Sequence, residues 1–311
     1  MSLFKTPFSA YSLAFSPYEQ DKVAVATSQH FGVAGNGALH VLQLGVPFMR
    51  EIYRANTQDN LFDVCWLEGN EHQILVASGD GSVKLYDLAY PQPILNLVQH
   101  TAEVFSVHSN YQFTKQIVSG SYDASAKVWD LVTGVCTHNF AEHSSHVYST
   151  IWNPRIPFHF LSSSGDRTAK IWDTRQPQSV LTVLGHAGDV LSCDWDKYSE
   201  CFATASTDQS ISIWDPRNTQ RAMIILTGHS LGIRKVKYSP FYGNILVSAS
   251  YDMSVCVWNL ANPSAPLIRH MHHTEFASGV DWNLFNDKLM GSCGWDGKVC
   301  VWDYDKPAPQ V

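Results

Sequence analysis

Five histidines, His100, His143, His186, His229 and His273, each stand 22 or 23 residues ahead of an aspartate: Asp123, Asp166, Asp208, Asp252 and Asp296. Histidine paired with a carboxylate is what activates a serine nucleophile, and His186, Ser206 and Asp208 can be drawn as one such triad. A catalytic triad occurs once in a chain, whereas this spacing returns five times. Repetition favours a structural hydrogen-bond relay, running from the histidine loop through the turn aspartate to a strand tryptophan at Trp129, Trp172, Trp214, Trp258 and Trp302. The other histidines, among them His30, His72, His138 and His270, lack paired-ligand spacing, and His272 and His273 are expected on opposite faces of an extended strand. Cys65, Cys136, Cys193, Cys201, Cys256, Cys293 and Cys300 include no Cys-x-x-Cys pair, so neither a disulfide framework nor a zinc site is indicated and a reducing compartment fits best. No phosphate-binding loop occurs, and the glycines between residues 32 and 37 do not follow the dinucleotide pattern. No enzyme activity, cofactor or metal is expected.

The elements that would position these residues follow from the spacing. The relay tryptophans lie 43, 42, 44 and 44 residues apart, each with an aspartate six residues ahead, and Asp80 with Tyr86 fills the same slots one period earlier. Trp66, Trp152, Trp195 and Trp282 mark a second fixed place, so only Trp295 of the ten tryptophans is unexplained by the repeat. Alternating runs such as Val147 to Trp152 and Thr168 to Trp172, separated by Gly-Asp turns, predict short antiparallel strands. A period of 40 to 45 residues with four strands, early Gly-His and late Trp-Asp resembles the blade of a WD40 propeller. The expectation is an all-β, seven-bladed propeller forming a single domain. Its blades are placed at about 10–50, 57–98, 100–141, 143–184, 186–227, 229–270 and 273–303, with strand 2–6 joining the last blade to close the ring.

Composition bounds the partners. The 311 residues carry a formal charge of −7 and no lysine or arginine cluster, which argues against nucleic acid and leaves a basic partner favoured. No apolar run reaches the ~20 residues of a membrane-spanning helix and the opening residues lack a signal-peptide pattern, so a soluble protein without direct membrane insertion is expected.

Function on a propeller is expected where inter-blade loops meet one rim. Rim positions read from the repeat carry Asn60, Glu103, His146, Asp189, Gly232 and Phe276 before the inner-strand anchor, and Phe62, Phe105, Tyr148, Leu191, Arg234 and Ser278 after it. Ahead of the turn aspartates stand Tyr122, Tyr251 and Trp295, and Asp59 and Glu275 lie beside the ring. Acids interleaved with aromatics form a candidate site for a peptide both cationic and apolar.

Several strings outside the repeat consensus carry a closer likeness: Ala26 to Gly35 (ATSQHFGVAG), Leu61 to Val64, Tyr148 to Trp152, Leu191 to Trp195, Ile233 to Phe241 and His272 to Phe276. In these the chain resembles the seventh-peroxin family, the receptors for the type-2 peroxisomal targeting signal, from about residue 6 to 303. The resemblance implies a cytoplasmic import receptor that shuttles to the peroxisome, binds the N-terminal signal of cargo such as thiolase, and acts with a peroxin co-receptor and the peroxisomal docking machinery. The implied signal is an amphipathic helix with an arginine at its start and an apolar stripe. Glu103, assisted by Asp59 or Asp189, is assigned to the arginine, and Phe62, Phe105, Tyr148, Tyr251 and Trp295 to the stripe. The alternative is a WD40 scaffold or reader for another basic amphipathic peptide, such as a histone tail or a member of a signalling or ubiquitin complex.

Overall fold

The computed structural model of the protein describes residues 2–45 and 47–305. Strand alternation sorts by position in each unit. The outer strand Ser179–Leu184 alternates covered and exposed residues, with Val183 buried and Ser179 and Leu181 half-buried, whereas the inner strand Val190–Trp195 is buried throughout. A strand covered on both faces must belong to a sheet with neighbours on either side. That arrangement is met by seven four-stranded antiparallel sheets, the blades of a β-propeller. In the seventh sheet the order is Ser2–Lys5, Lys298–Asp303, Leu289–Gly294 and Ala277–Trp282, so the N-terminal strand supplies the outer edge and closes the ring. Leu3 there opposes Cys300, and Phe4 opposes Val299.

The first blade extends beyond the boundary expected near residue 50. Its fourth strand is Arg50–Thr57, paired with Gly37–Gln43. This strand interleaves Arg50, Glu51 and Arg54 with Ile52 and Tyr53, and carries neither the Gly-His nor the Trp-Asp mark, which is why the repeat did not reveal it. Between its second and third strands an insert takes the place of the aspartate turn, with a short 3-10 segment, Gln29–Gly32, in which His30 and Phe31 adopt φ of 46° and 54°.

Cohesion runs between blades. The buried apolar side chains form seven clusters, each drawn from two neighbouring blades. Leu39 and Val41 of the first blade meet Trp66 and Ile74 of the second, and Val23 and Val25 of the first meet Val299 and Val301 of the seventh. Polar ties follow the same direction. Asp63 accepts from Val107 N at 3.2 Å, Asp194 from Tyr238 N at 2.7 Å and Asp281 from Phe15 N at 2.9 Å, the last joining the seventh blade to the first. All seven cysteines are free thiols, and burial pushes those of Cys65, Cys193, Cys293 and Cys300 up to about 12, the behaviour of small core residues.

Candidate functional site

The recurring histidines are hubs of buried networks. His100 Nδ1–H donates to Asp123 at 2.7 Å, and its Nε2 accepts from Ser119 Oγ at 2.8 Å. The serine oxygen in turn accepts Trp129 Nε1–H at 2.8 Å. Because a carboxylate only accepts, the ring proton sits on Nδ1, so the bare Nε2 of the neutral ring takes the serine proton and leaves the serine oxygen to the indole. Ser162, Thr204 and Ser248 serve the same way in the next three blades. The aspartate and the tryptophan therefore do not meet, contrary to the expected order, and the link between histidine and tryptophan is a hydroxyl that the spacing of His, Asp and Trp did not mark.

The seventh blade departs from this plan. His273 lies 3.1 Å from Asp296, but the Nε2 atoms of His272 and His273 both approach Ser292 Oγ, at 2.9 and 2.7 Å, with the rings 4.5 Å apart. The pair precedes the strand Ala277–Trp282 in an irregular segment, so the two rings converge instead of facing opposite ways. Trp302 Nε1 is left without a hydrogen-bond partner among the described residues. His272, His273 and Cys300 are also the trio whose donor atoms lie within 4.8 Å of one another, but all are buried and both imidazoles already engage Ser292. In the first two blades other groups stand in: His40 lies between Thr27 at 3.2 Å and Glu51 at 2.5 Å, and Asp80 pairs with Ser82 and Lys84.

The rim is built by a backbone irregularity. The inner strand of every blade is bulged one residue after its anchor, between Ala10 and Ser12, Leu61 and Asp63, Val104 and Ser106, Val147 and Ser149, Val190 and Ser192, Ile233 and Lys235, and Ala277 and Gly279. A bulge leaves one residue out of the ladder and re-aims its side chain. The seven residues so released are Tyr11, Phe62, Phe105, Tyr148, Leu191, Arg234 and Ser278, one per blade around the channel mouth. A second layer is tied to the first by main-chain bonds: Tyr122 N donates to Glu103 O at 2.9 Å, Tyr251 N to Gly232 O at 3.0 Å and Trp295 N to Phe276 O at 2.9 Å.

These two layers bring most of the expected residues together in one aromatic arc. Phe62 and Phe105 stack at 4.2 Å, Phe105 and Tyr122 at 4.1 Å, and Tyr122 and His146 at 4.0 Å, with Tyr148 edge-on to Phe105 and Tyr122. In the other direction Tyr11 meets Phe62 at 5.3 Å and Trp295 at 5.6 Å, and Trp295 continues to Phe276 and Tyr251. Tyr11 and Phe31 are members that the repeat did not mark. Phe31, 53% exposed, rests on Trp295 at 5.5 Å, while its carbonyl accepts from Tyr11 Oη at 2.5 Å. Gly32 has φ 72°, and a Cβ there would fall on the Tyr11 hydroxyl and 2.9 Å from the Phe62 ring, so the insert needs glycine to lie this close. Phe62 itself is only 3% exposed, a support beneath the arc more than a contact surface.

Charge is placed unevenly. Glu103 and Glu275 are exposed and Asp59 is half-buried, and none of the three carboxylates has an ion-pair partner among the described residues. Asp189 accepts from Tyr148 Oη at 3.3 Å, so it is already partly committed. Arg234 is 7% exposed. Burial raises the phenols of Tyr11, Tyr122 and Tyr251 above their ordinary range while Arg234 pulls the other way, and they remain neutral donors at neutral pH.

The opposite end of the channel contrasts with the mouth. A cavity of 290 Å³ there is lined by Asp63, Asp194 and Asp281 against Lys197, Lys235 and Lys237. Glu68 lines it too, and its aspartates are spent on inter-blade backbone bonds.

With the geometry established, comparison with known proteins locates the chain. The family model for the WD40 repeat, described as WD domain, G-beta repeat, matches residues 91–130, 134–173, 177–215, 220–259 and 265–303. The chain belongs to the WD40 family. Among relatives, this WD40 chain is 46% identical over 115 residues to Peroxisome biogenesis protein 7 of Arabidopsis thaliana, a match covering 35% of the chain and 36% of the relative. It is 43% identical over 113 residues to the Peroxisomal targeting signal 2 receptor of Dictyostelium discoideum, with the same coverage of both. The receptor of that name from Homo sapiens is 40% identical over 109 residues, 35% of the chain and 34% of the relative. The matched stretch thus spans 36% or less of the length of these relatives.

Proposed function

We propose that this WD40 propeller is a receptor for the type-2 peroxisomal targeting signal, and that it receives the signal as an amphipathic helix laid across the channel mouth. The observation that carries the reading is the mouth itself: an unbroken aromatic arc flanked by the unpaired carboxylates of Asp59 and Glu103. An apolar helix stripe packs on stacked rings, and an arginine at the helix start gains a charge-assisted, bidentate pairing with a carboxylate. The relatives' names supply the class of ligand. Cargo such as thiolase, a peroxin co-receptor that covers the bound signal, the peroxisomal docking machinery and shuttling between cytoplasm and peroxisome belong to the same proposal. The absence, among the described residues, of any helix long and apolar enough to cross a membrane is compatible with it.

Glu103 takes the arginine, with Asp59 assisting; Asp189, already engaged by Tyr148, contributes less. The test is the affinity of a type-2 signal peptide for the protein carrying Glu103→Ala or Glu103→Lys, against the same peptide without its first arginine. A loss of ~10-fold for the alanine variant and more for the lysine variant is expected, the worth of one charge-assisted pair. Unchanged binding in both variants would rule the assignment out. A histone-tail or signalling scaffold would instead prefer its own basic peptide over the type-2 signal in the same titration.

A further inference from the structure

Acids stand at the mouth on the second, third, fifth and seventh blades, and the sixth contributes a cation, Arg234. In a ring of seven blades the sixth stands across the channel from the junction of the second and third. Asp59 and Glu103 stand just ahead of the inner strands of the second and third blades, and Arg234 is the residue released by the bulge of the sixth blade. Its guanidinium has no carboxylate oxygen within 4.0 Å among the described residues, and its hydrogen bond, from Nη1 to Leu191 O, is a long 3.4 Å. A guanidinium holds five N–H donors and cannot shed its proton. Burying such a group unpaired is costly, so the position is built to be completed by something that enters the mouth. Tyr11, Tyr122 and Tyr251 feel its charge and offer it only neutral phenols.

We infer that Arg234 receives the carbonyl oxygens at the C-terminal end of the bound helix, so that the helix crosses the mouth in one direction only. The inference rests on the proposed function and adds polarity to it. The last turn of a helix leaves four carbonyls without intrahelical partners and carries the negative end of the macrodipole, while the first turn carries the positive end. With the helix start over Asp59 and Glu103 and its end over Arg234, side-chain charge and dipole are matched at both places. In the reverse direction the peptide's own arginine would stand against Arg234.

The experiment is a fluorescence-anisotropy titration with an amidated, labelled type-2 signal peptide, extended after its last helical residue by one glutamate or by one lysine. On the unmodified protein the glutamate peptide is expected to bind several-fold more tightly than the lysine peptide, and the difference to vanish in Arg234→Gln. Arg234→Gln weakens the parent peptide by about tenfold, as for loss of one charge-assisted hydrogen bond, and Arg234→Lys by less. Equal binding of the two extended peptides to the unmodified protein overturns the inference; if Glu103→Lys still abolishes binding, the receptor reading stands without it. An unmodified protein that binds no type-2 peptide overturns both. The extended-peptide comparison needs no variant, so a misfolded Arg234 substitution does not blunt it.

Discussion

At the scale of single residues, the same side-chain types divide into two populations. Buried histidines and aspartates are consumed by the relays, while Asp59, Glu103 and Arg234 at the mouth have no ion-pair partner among the described residues. The relays make stability depend on acidity. Burial alone would raise the Asp296 carboxyl, but the His273 hydrogen bond and the Thr274 and Lys298 amides outweigh it and hold the group at about 2, below its ordinary 3.8. A carboxyl depressed in the folded state stabilises above its unfolded value and loses that contribution as pH falls through the folded one. Asp123, Asp166 and Asp252 are lowered in the same way, and His100, held below its ordinary value chiefly by burial, resists charging as pH drops. The stability from Asp296 is therefore full above pH ~4 and lost between ~4 and ~2, on the order of 2 kcal/mol for this one group. Urea midpoints measured from pH 7 to 2 should fall steeply over that window, and Asp296→Asn should flatten the fall; an unaltered slope would contradict it.

At the scale of elements, two local backbone devices do the positioning. The inner-strand bulge sets the mouth ring, and the aspartate turn sets the second layer. In six blades the residue after the turn aspartate is left-handed: Gly81, Ala124, Arg167, Gln209, Met253 and Gly297. Glycine adopts that region freely, whereas a Cβ there is strained. Ala124→Gly is accordingly expected to raise unfolding free energy by about 0.5–1 kcal/mol, read as a higher denaturant midpoint with an unchanged slope. These devices also mark what the sequence could and could not disclose. The turn was legible because Asp123, Asp166 and their counterparts recur at a fixed offset from a tryptophan. The bulge was not, since it is an event of register that any residue type can occupy, as the run Tyr11, Phe62, Leu191, Arg234 shows. Phe31 escaped for a different reason: the insert that holds it has no counterpart in the other blades, so no period pointed to it. The hydroxyls of Ser119 and Ser162 were hidden among many serines on buried strands.

At the scale of the whole molecule, the seven inter-blade clusters and the closing strand make the ring cooperative. The period of the tryptophans announced the blades, and the one tryptophan it left unexplained, Trp295, lies on the rim instead of in the core. The fourth strand of the first blade stayed hidden because outer strands pack on one face only and bear no invariant mark. Removing Ser2–Lys5 would leave the edge of Lys298–Asp303 unpaired along four residue pairs. The expected cost is about 2–3 kcal/mol, a melting temperature lower by roughly 3–5 °C, with self-association through the bared edge visible by size-exclusion chromatography.

The closing strand also has a consequence in time. Residues 2–5 are synthesised long before their partners at 298–303. At the ~5–20 residues per second of protein synthesis, the opening strand waits on the order of 15–60 s for its mate. Through that interval the nascent propeller is an open arc, with the strand at 2–5 unpaired and an uncovered face on its newest blade. This propeller's hazard in the cell is thus concentrated before the ring closes, and anything that shields the strand at 2–5 must release it as residues 298–303 emerge.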